Sequence, residues 1–205
     1  MDLHAHLPLI AILRGVTPDE IDAHVSALIE CGIGLIEIPT NSPDWQASVE
    51  SALELAGDRA VIGAGTVLTL DHVEALAGTG GRLMVTPNSD PQIIAEAVAR
   101  GLFCATGFAT ASEAFAAIKA GAQALKLFPA AHFGPGYVRA LKAVLPAAMP
   151  LFAVGGITPA NLPDFLAAGC HGAGLGSDLY AVGQTPETTR ARALDFVQAF
   201  RGHRP

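Results

Sequence analysis

Residues 151–177 read LFAVGGITPANLPDFLAAGCHGAGLGS, and this stretch decides the fold. Leu151–Val154 is an apolar run of strand length. Thr158-Pro159 then supplies a hydroxyl cap followed by the proline that a helix accepts in its first turn. Gly169 closes the helical stretch, as a left-handed cap requires, and Gly172–Leu175 begins a second apolar run. Two short apolar runs joined through a helix form the connection that parallel strands need.

The same unit recurs outward along the chain. Eight short apolar runs stand out: Leu9–Leu13, Leu35–Ile38, Ala60–Ile62, Leu83–Val85, Leu102–Ala105, Ala124–Phe128, Leu151–Val154 and Gly172–Leu175. Helical patterns lie between them. Thr17-Pro18-Asp19-Glu20, Ser42-Pro43-Asp44 and Thr185-Pro186-Glu187 repeat the start signal, and Gly32, Gly57, Gly101 and Gly121 repeat the stop. Eightfold alternation predicts an α/β fold, a TIM (β/α)8 barrel at the small end of its size range, as a single domain over 1–205. A doubly wound open sheet is the second architecture, though it usually has fewer strands.

Composition narrows the function classes. At 51% hydrophobic and 15% charged residues, the chain has a sizeable core and is not disordered. A net charge of -7 without a basic stripe argues against a nucleic-acid partner. The longest charge-free run, 143–163, contains four prolines and Gly155-Gly156, so no membrane helix is expected. Cys31, Cys104 and Cys170 form no CxxC pair and read as buried apolar residues of a reducing compartment. Met1-Asp2-Leu3-His4 lacks the basic start of a secretory signal, and the expected location is the cytoplasm.

Two charges interrupt strands. Lys119 and Lys142 sit in helical stretches, but Lys126, the third lysine, interrupts Ala124–Phe128. Alternation places Ala124, Lys126 and Phe128 on one face and Leu125 and Leu127 on the other. If the leucines meet the outer helices, Lys126 points into the barrel. A buried ammonium must pair or lose its proton, and a lysine that loses it becomes a nucleophile for ketones. Glu37 interrupts Leu35–Ile38 near the end of the second strand, the end of a barrel where catalytic groups gather. It reads either as a proton shuttle beside Lys126 or as the charge partner that lets both fill the barrel, and the readings are compatible.

Glycine clusters with small hydroxyl residues mark three strand ends: Gly63-Ala64-Gly65-Thr66, Gly155-Gly156, and Gly172 to Gly176 with Ser177. The last two follow the seventh and eighth strands, whose loops often bind phosphate in such barrels. Ser177 to Tyr180 could open the short helix used there. Tight turns are the plainer reading of a lone pair. Arg14 ends the first strand and suits a phosphate or a carboxylate. Pro87-Asn88 and Phe128-Pro129 shape the same mouth. Of seven histidines only His4 and His6 are close, so no metal site is expected, and no nucleotide-binding loop is present.

With these stretches in order, IAILRG ending in Arg14-Gly15, GLIEIP with Glu37, IGAGTV with Thr66, VTPN with Pro87 and Asn88, ALKLFPA with Lys126, AVGGIT with Gly155 and Gly156, and GAGLGSDLY with Gly176 and Ser177, the sequence resembles the 2-keto-3-deoxy-6-phosphogluconate / 4-hydroxy-2-oxoglutarate aldolase family. The resemblance covers nearly the whole chain. It implies a homotrimer of TIM barrels in which Lys126 forms an imine with C2 of a 2-keto acid and Glu37 acts as general acid and base. Thr66, with groups near Pro87, would hold the carboxylate. Gly155, Gly156, Gly176 and Ser177 would hold a phosphate, with Arg14 as a further ligand. The protonated imine is the electron sink, so no metal or cofactor is implied. The gluconate-type members carry Arg four residues after the glutamate and Thr before the Gly-Gly pair, where this chain has Asn41 and Val154. It looks more like the branch acting on 2-dehydro-3-deoxy-6-phosphogalactonate, a phosphorylated 2-keto-3-deoxy sugar acid that yields pyruvate and glyceraldehyde 3-phosphate in galactonate catabolism.

Overall fold

A computed structural model of the chain describes residues 5–203; the readings of Met1 to His4 lie outside them. Eight strands close a parallel barrel in sequence order: β1 (Leu9–Ile12), β2 (Leu35–Pro39), β3 (Val61–Gly65), β4 (Leu83–Val85), β5 (Phe103–Phe108), β6 (Ala124–Leu127), β7 (Leu151–Val154) and β8 (Gly172–Leu175). The helices are α1 (Ile21–Glu30), α2 (Trp45–Ala56), α3 (Leu70–Thr79), α4 (Pro91–Ala99), α5 (Ala111–Lys119), α6 (Ala130–Lys142), α7 (Leu162–Ala167) and α8 (Pro186–Gly202). The barrel is the TIM fold that the alternation predicted, and each strand lies on the apolar run that announced it. Among the described residues no helix is long and apolar enough to cross a membrane.

Parity along the strands divides the core in two. Ile10, Ile12, Leu35, Val61, Leu83, Val85, Ala105, Ala124, Phe152 and Val154 fill the barrel's interior. Leu125, Leu127, Ile36, Ile38 and their counterparts pack outward against the helices. With Leu35 and Ala124 inside, the two-residue period puts Glu37 and Lys126 inside as well. Cys31, Cys104 and Cys170 are buried in the outer layer, as small apolar residues.

Some local signals resolve differently. Gly63 to Gly65 lie within β3 rather than beyond it, and Thr106 to Phe108 extend β5. Gly172 and Gly174 belong to β8. A side chain at Gly63 would strike the Leu83 carbonyl oxygen at 1.8 Å, and one at Gly172 the Pro8 carbonyl oxygen at 1.7 Å. These glycines permit close backbone approach instead of turning the chain. Thr185 caps α8 as expected, by accepting from the Thr188 N–H. Ser42 does not cap α2. Its hydroxyl accepts from Gly15 N–H at 2.9 Å, tying the first mouth loop to the second, and Asp44 before α2 is left-handed (φ 42°). Ser177 to Leu179 form a single turn, with Leu179 and Tyr180 N–H groups donating to the Gly176 carbonyl, and no helix follows there.

Candidate functional site

Lys126 and Glu37 are ionisable groups in a barrel interior that is otherwise apolar. Their neighbours in register explain how they fit. Glu37 lies between Ile12 and Gly63, and Lys126 between Gly107 and Phe152. Each therefore has a glycine on one flank. Gly65, two residues beyond Gly63, would drive a Cβ to 1.9 Å from Glu37 Oε2, so the carboxyl group occupies the space that glycine leaves. Glu37 is 1% exposed, and Oε2 accepts no hydrogen bond among the described residues. Lys126 is 7% exposed, with Nζ 5.2 Å from the centre of the Phe128 ring.

Burial raises the Glu37 carboxyl to about 7, against the opposing pull of the Lys126 and Arg14 charges. Burial likewise lowers the Lys126 amine to about 8; Glu37 opposes that shift and Arg14 adds to it. Burial thus poises both groups near neutrality. The same shifts weaken the fold. The raised carboxyl contributes stability fully below its ordinary range and loses it as pH rises through about 7. The lowered amine contributes stability above its ordinary range and loses it as pH falls through about 8. At neutral pH both contributions are lost. The double variant Lys126→Met with Glu37→Gln is expected to be more stable than the parent by about 1–4 kcal/mol. A urea midpoint at neutral pH that is unchanged or lower contradicts this account.

Above the pair opens a cavity of about 370 Å³, lined by Arg14, Thr66, Pro87, Lys126, Phe128, Val154, Gly155, Gly156, Gly176 and Ser177, and by Ile12, Ile157, Asp178, Tyr180 and Ala181. The sequence named the first ten. Glu37 lies below the cavity wall, and Asn88, though singled out, is exposed and outside it. Sequence reasoning missed the last five. Tyr180 and Asp178 were visible in the GAGLGSDLY stretch, but nothing in their spacing gave them a role. A larger hollow, of about 560 Å³, lies beside His6 and Arg59, with neither buried charge in its lining.

Two ends of the cavity differ in chemistry. At one, Arg14 donates through Nη1 to Asn41 Oδ1 at 2.5 Å and through Nη2 to Thr66 Oγ1 at 3.3 Å. Thr66 is held at φ 57°, a left-handed conformation costing a threonine about 1–3 kcal/mol. Thr40 Oγ1 braces it by donating to the Thr66 carbonyl at 2.7 Å. At the other end Gly155 and Gly156 take successive left-handed conformations (φ 93° and 72°). A Cβ on Gly156 would also meet the Ala131 methyl at 2.7 Å. Asn161 fixes this turn by donating to the Gly156 carbonyl at 2.9 Å.

An amine whose charged form burial disfavours, at the floor of a cavity at the C-terminal rim of a β/α barrel, is suited to attack a carbonyl carbon. Residues 2–193 match the family described as KDPG and KHG aldolase, and the chain belongs to that family. It is 55% identical over 201 residues to the 2-dehydro-3-deoxy-6-phosphogalactonate aldolase of Escherichia coli (strain K12), covering 98% of each chain. A solved native KDPGal structure superposes with a TM-score of 0.97 at 54% identity, covering 99% of this chain and 98% of that one. A cube-shaped protein cage, designed by fusing symmetric oligomeric domains, contains a similar chain (TM-score 0.95, 55% identity, 96% of this chain and 73% of that one).

Proposed function

We propose that the chain cleaves 2-dehydro-3-deoxy-6-phosphogalactonate to pyruvate and D-glyceraldehyde 3-phosphate as a single class I aldolase barrel over 1–205. The observation that carries this reading is Lys126, inside the barrel, deprotonated readily through burial, and open to the cavity. Its amine attacks the C2 ketone, and loss of water from the carbinolamine gives the protonated imine. Glu37 carries protons to and from the departing hydroxyl. The C4 hydroxyl then loses its proton, the C3–C4 bond breaks, and its electron pair flows into the imine to leave an enamine. Protonation at C3 and hydrolysis release pyruvate and restore the amine. The carboxylate of the substrate fits the Arg14, Thr66 and Pro87 end, because Arg14 is already tied to Thr66 there. The phosphate fits the Gly155, Gly156, Gly176 and Ser177 end.

Val154 admits the galacto substrate without excluding its C4 epimer. It is 5% exposed, lines the cavity beside Gly155, and offers no hydrogen bond to a C4 hydroxyl. A pocket that leaves this hydroxyl unpaired discriminates weakly between C4 epimers. The gluconate or 4-hydroxy-2-oxoglutarate activity of the wider family is the second reading. Pyruvate release from each epimer decides between them. The expected result is faster turnover of the phosphogalactonate, with the gluconate epimer accepted. Val154→Thr is expected to move the ratio toward the gluconate epimer by about tenfold. A chain that cleaves only the gluconate epimer overturns the first reading. The cytoplasm and a homotrimer complete the proposal. The trimer fits the exposed apolar side chains Leu68, Leu70, Phe115 and Val182 and the symmetric use of a similar chain in the cage.

A further inference from the structure

The loop after β8 reaches the cavity through Gly176, Ser177, Asp178, Tyr180 and Ala181, yet it has no regular structure of its own beyond two turns. Its shape is set from behind. Gln184 Nε2 donates to the Leu179 carbonyl at 2.8 Å and to Thr189 Oγ1 at 2.7 Å. Gln184 Oε1 accepts from the Ala181 N–H at 3.1 Å and from Arg192 Nη1 at 3.0 Å. Arg192 Nη1 also donates to the Ser177 carbonyl at 3.3 Å. Chemistry fixes the orientation of this amide: only its NH₂ can face a carbonyl, and only its oxygen can face an N–H and a guanidinium. Thr189 anchors the far side. Having accepted from Gln184, its hydroxyl has one proton to give, and it lies 2.8 Å from Nδ1 of the buried His24, whose charged form burial disfavours. A chain of bonds thus runs from α1 through α8 into the loop.

We propose that Gln184, braced by Arg192, is a positioning residue that holds the Gly176 to Ala181 loop in the shape that receives the phosphate of the substrate. The proposal rests on the reading above that this end of the cavity binds phosphate. Neither side chain lines the cavity, so their effect passes through the backbone of the loop.

Gln184→Leu and Arg192→Leu, assayed on the phosphorylated sugar acid and on its unphosphorylated analogue, test it. The expected result is a KM for the phosphorylated substrate about tenfold higher, with kcat within about twofold. The KM for the unphosphorylated analogue and the rate of borohydride trapping of pyruvate stay unchanged. The double variant is expected to be no worse than the weaker single one, because the two side chains act as one unit. An equal rise in KM for both substrates, or a fall in kcat alone, overturns the proposal. So does an unchanged KM in either folded variant. Arg192 is half-buried on α8, so its variant gives the readout should Gln184→Leu not fold. If the parent enzyme treats both substrates alike and inorganic phosphate does not compete, the phosphate reading itself fails and this proposal falls with it.

Discussion

Lys126→Ala is expected to lower kcat/KM by about 10⁴-fold or more, because no other amine can form the imine at that position. The remaining lysines are on outer helices: Lys119 ends α5 and is exposed, and Lys142 ends α6. Sodium borohydride with pyruvate is therefore expected to leave one reduced adduct, on the peptide containing Lys126. The Lys126→Ala protein is expected to acquire none. Lys126→Met, which keeps the length of the buried stem, is expected to be equally inactive. An adduct scattered over Lys119 and Lys142, or trapping retained without Lys126, removes the imine mechanism at Lys126.

Replacing Glu37 by Gln is expected to reduce kcat by about 10²–10⁴-fold, the range for losing a positioned acid–base group. Its pH profile says more than the loss itself. The reactive pair carries one proton between the two groups, so kcat/KM of the parent is expected to peak between about 7 and 8. Below that window both groups are protonated and the amine cannot attack. Above it the acid is spent. The Glu37 charge holds the Lys126 value up. On the acid side of the window Glu37 is itself protonated and Glu37→Gln removes no charge there, so the limb that changes is the alkaline one, which is expected to flatten in Glu37→Gln because no acid is left to be spent. Full kcat, or an alkaline limb that stays in place, reduces Glu37 to a structural filler.

The strands and both buried charges were legible because they depend on a short period. Two-residue alternation through Leu125 and Leu127 was enough to aim Lys126 inward. The carbonyl ends of β3 and β5 were not legible, because glycine in Gly63-Ala64-Gly65 and in Thr106-Gly107 gives no strand signal and looks like a turn. What makes those glycines strand residues is the Leu83 carbonyl or the Pro87 backbone lying against them, residues distant in sequence. Ser42 reads as a cap from its neighbours and serves instead as an acceptor for Gly15. Gln184 and Arg192 carry no local pattern at all; only the folded loop brings four partners to one amide. Asn88 is a different case. Its place in VTPN suggested contact with ligand, yet its backbone, rather than its side chain, is what packs near the site, against Gly107.

The seat of the Glu37 carboxyl has a meaning for anyone comparing related chains. The acid on β2 and the missing carbon at Gly65 on β3 are two halves of one device. A relative that retains the glutamate but carries alanine at the Gly65 position has no room for the carboxyl in this position, and the acid would swing off its mark while the alignment still looked intact. The dependable signature of a working proton carrier in this barrel is therefore a pair of positions on adjacent strands, and a search that scores the glutamate alone will admit impostors.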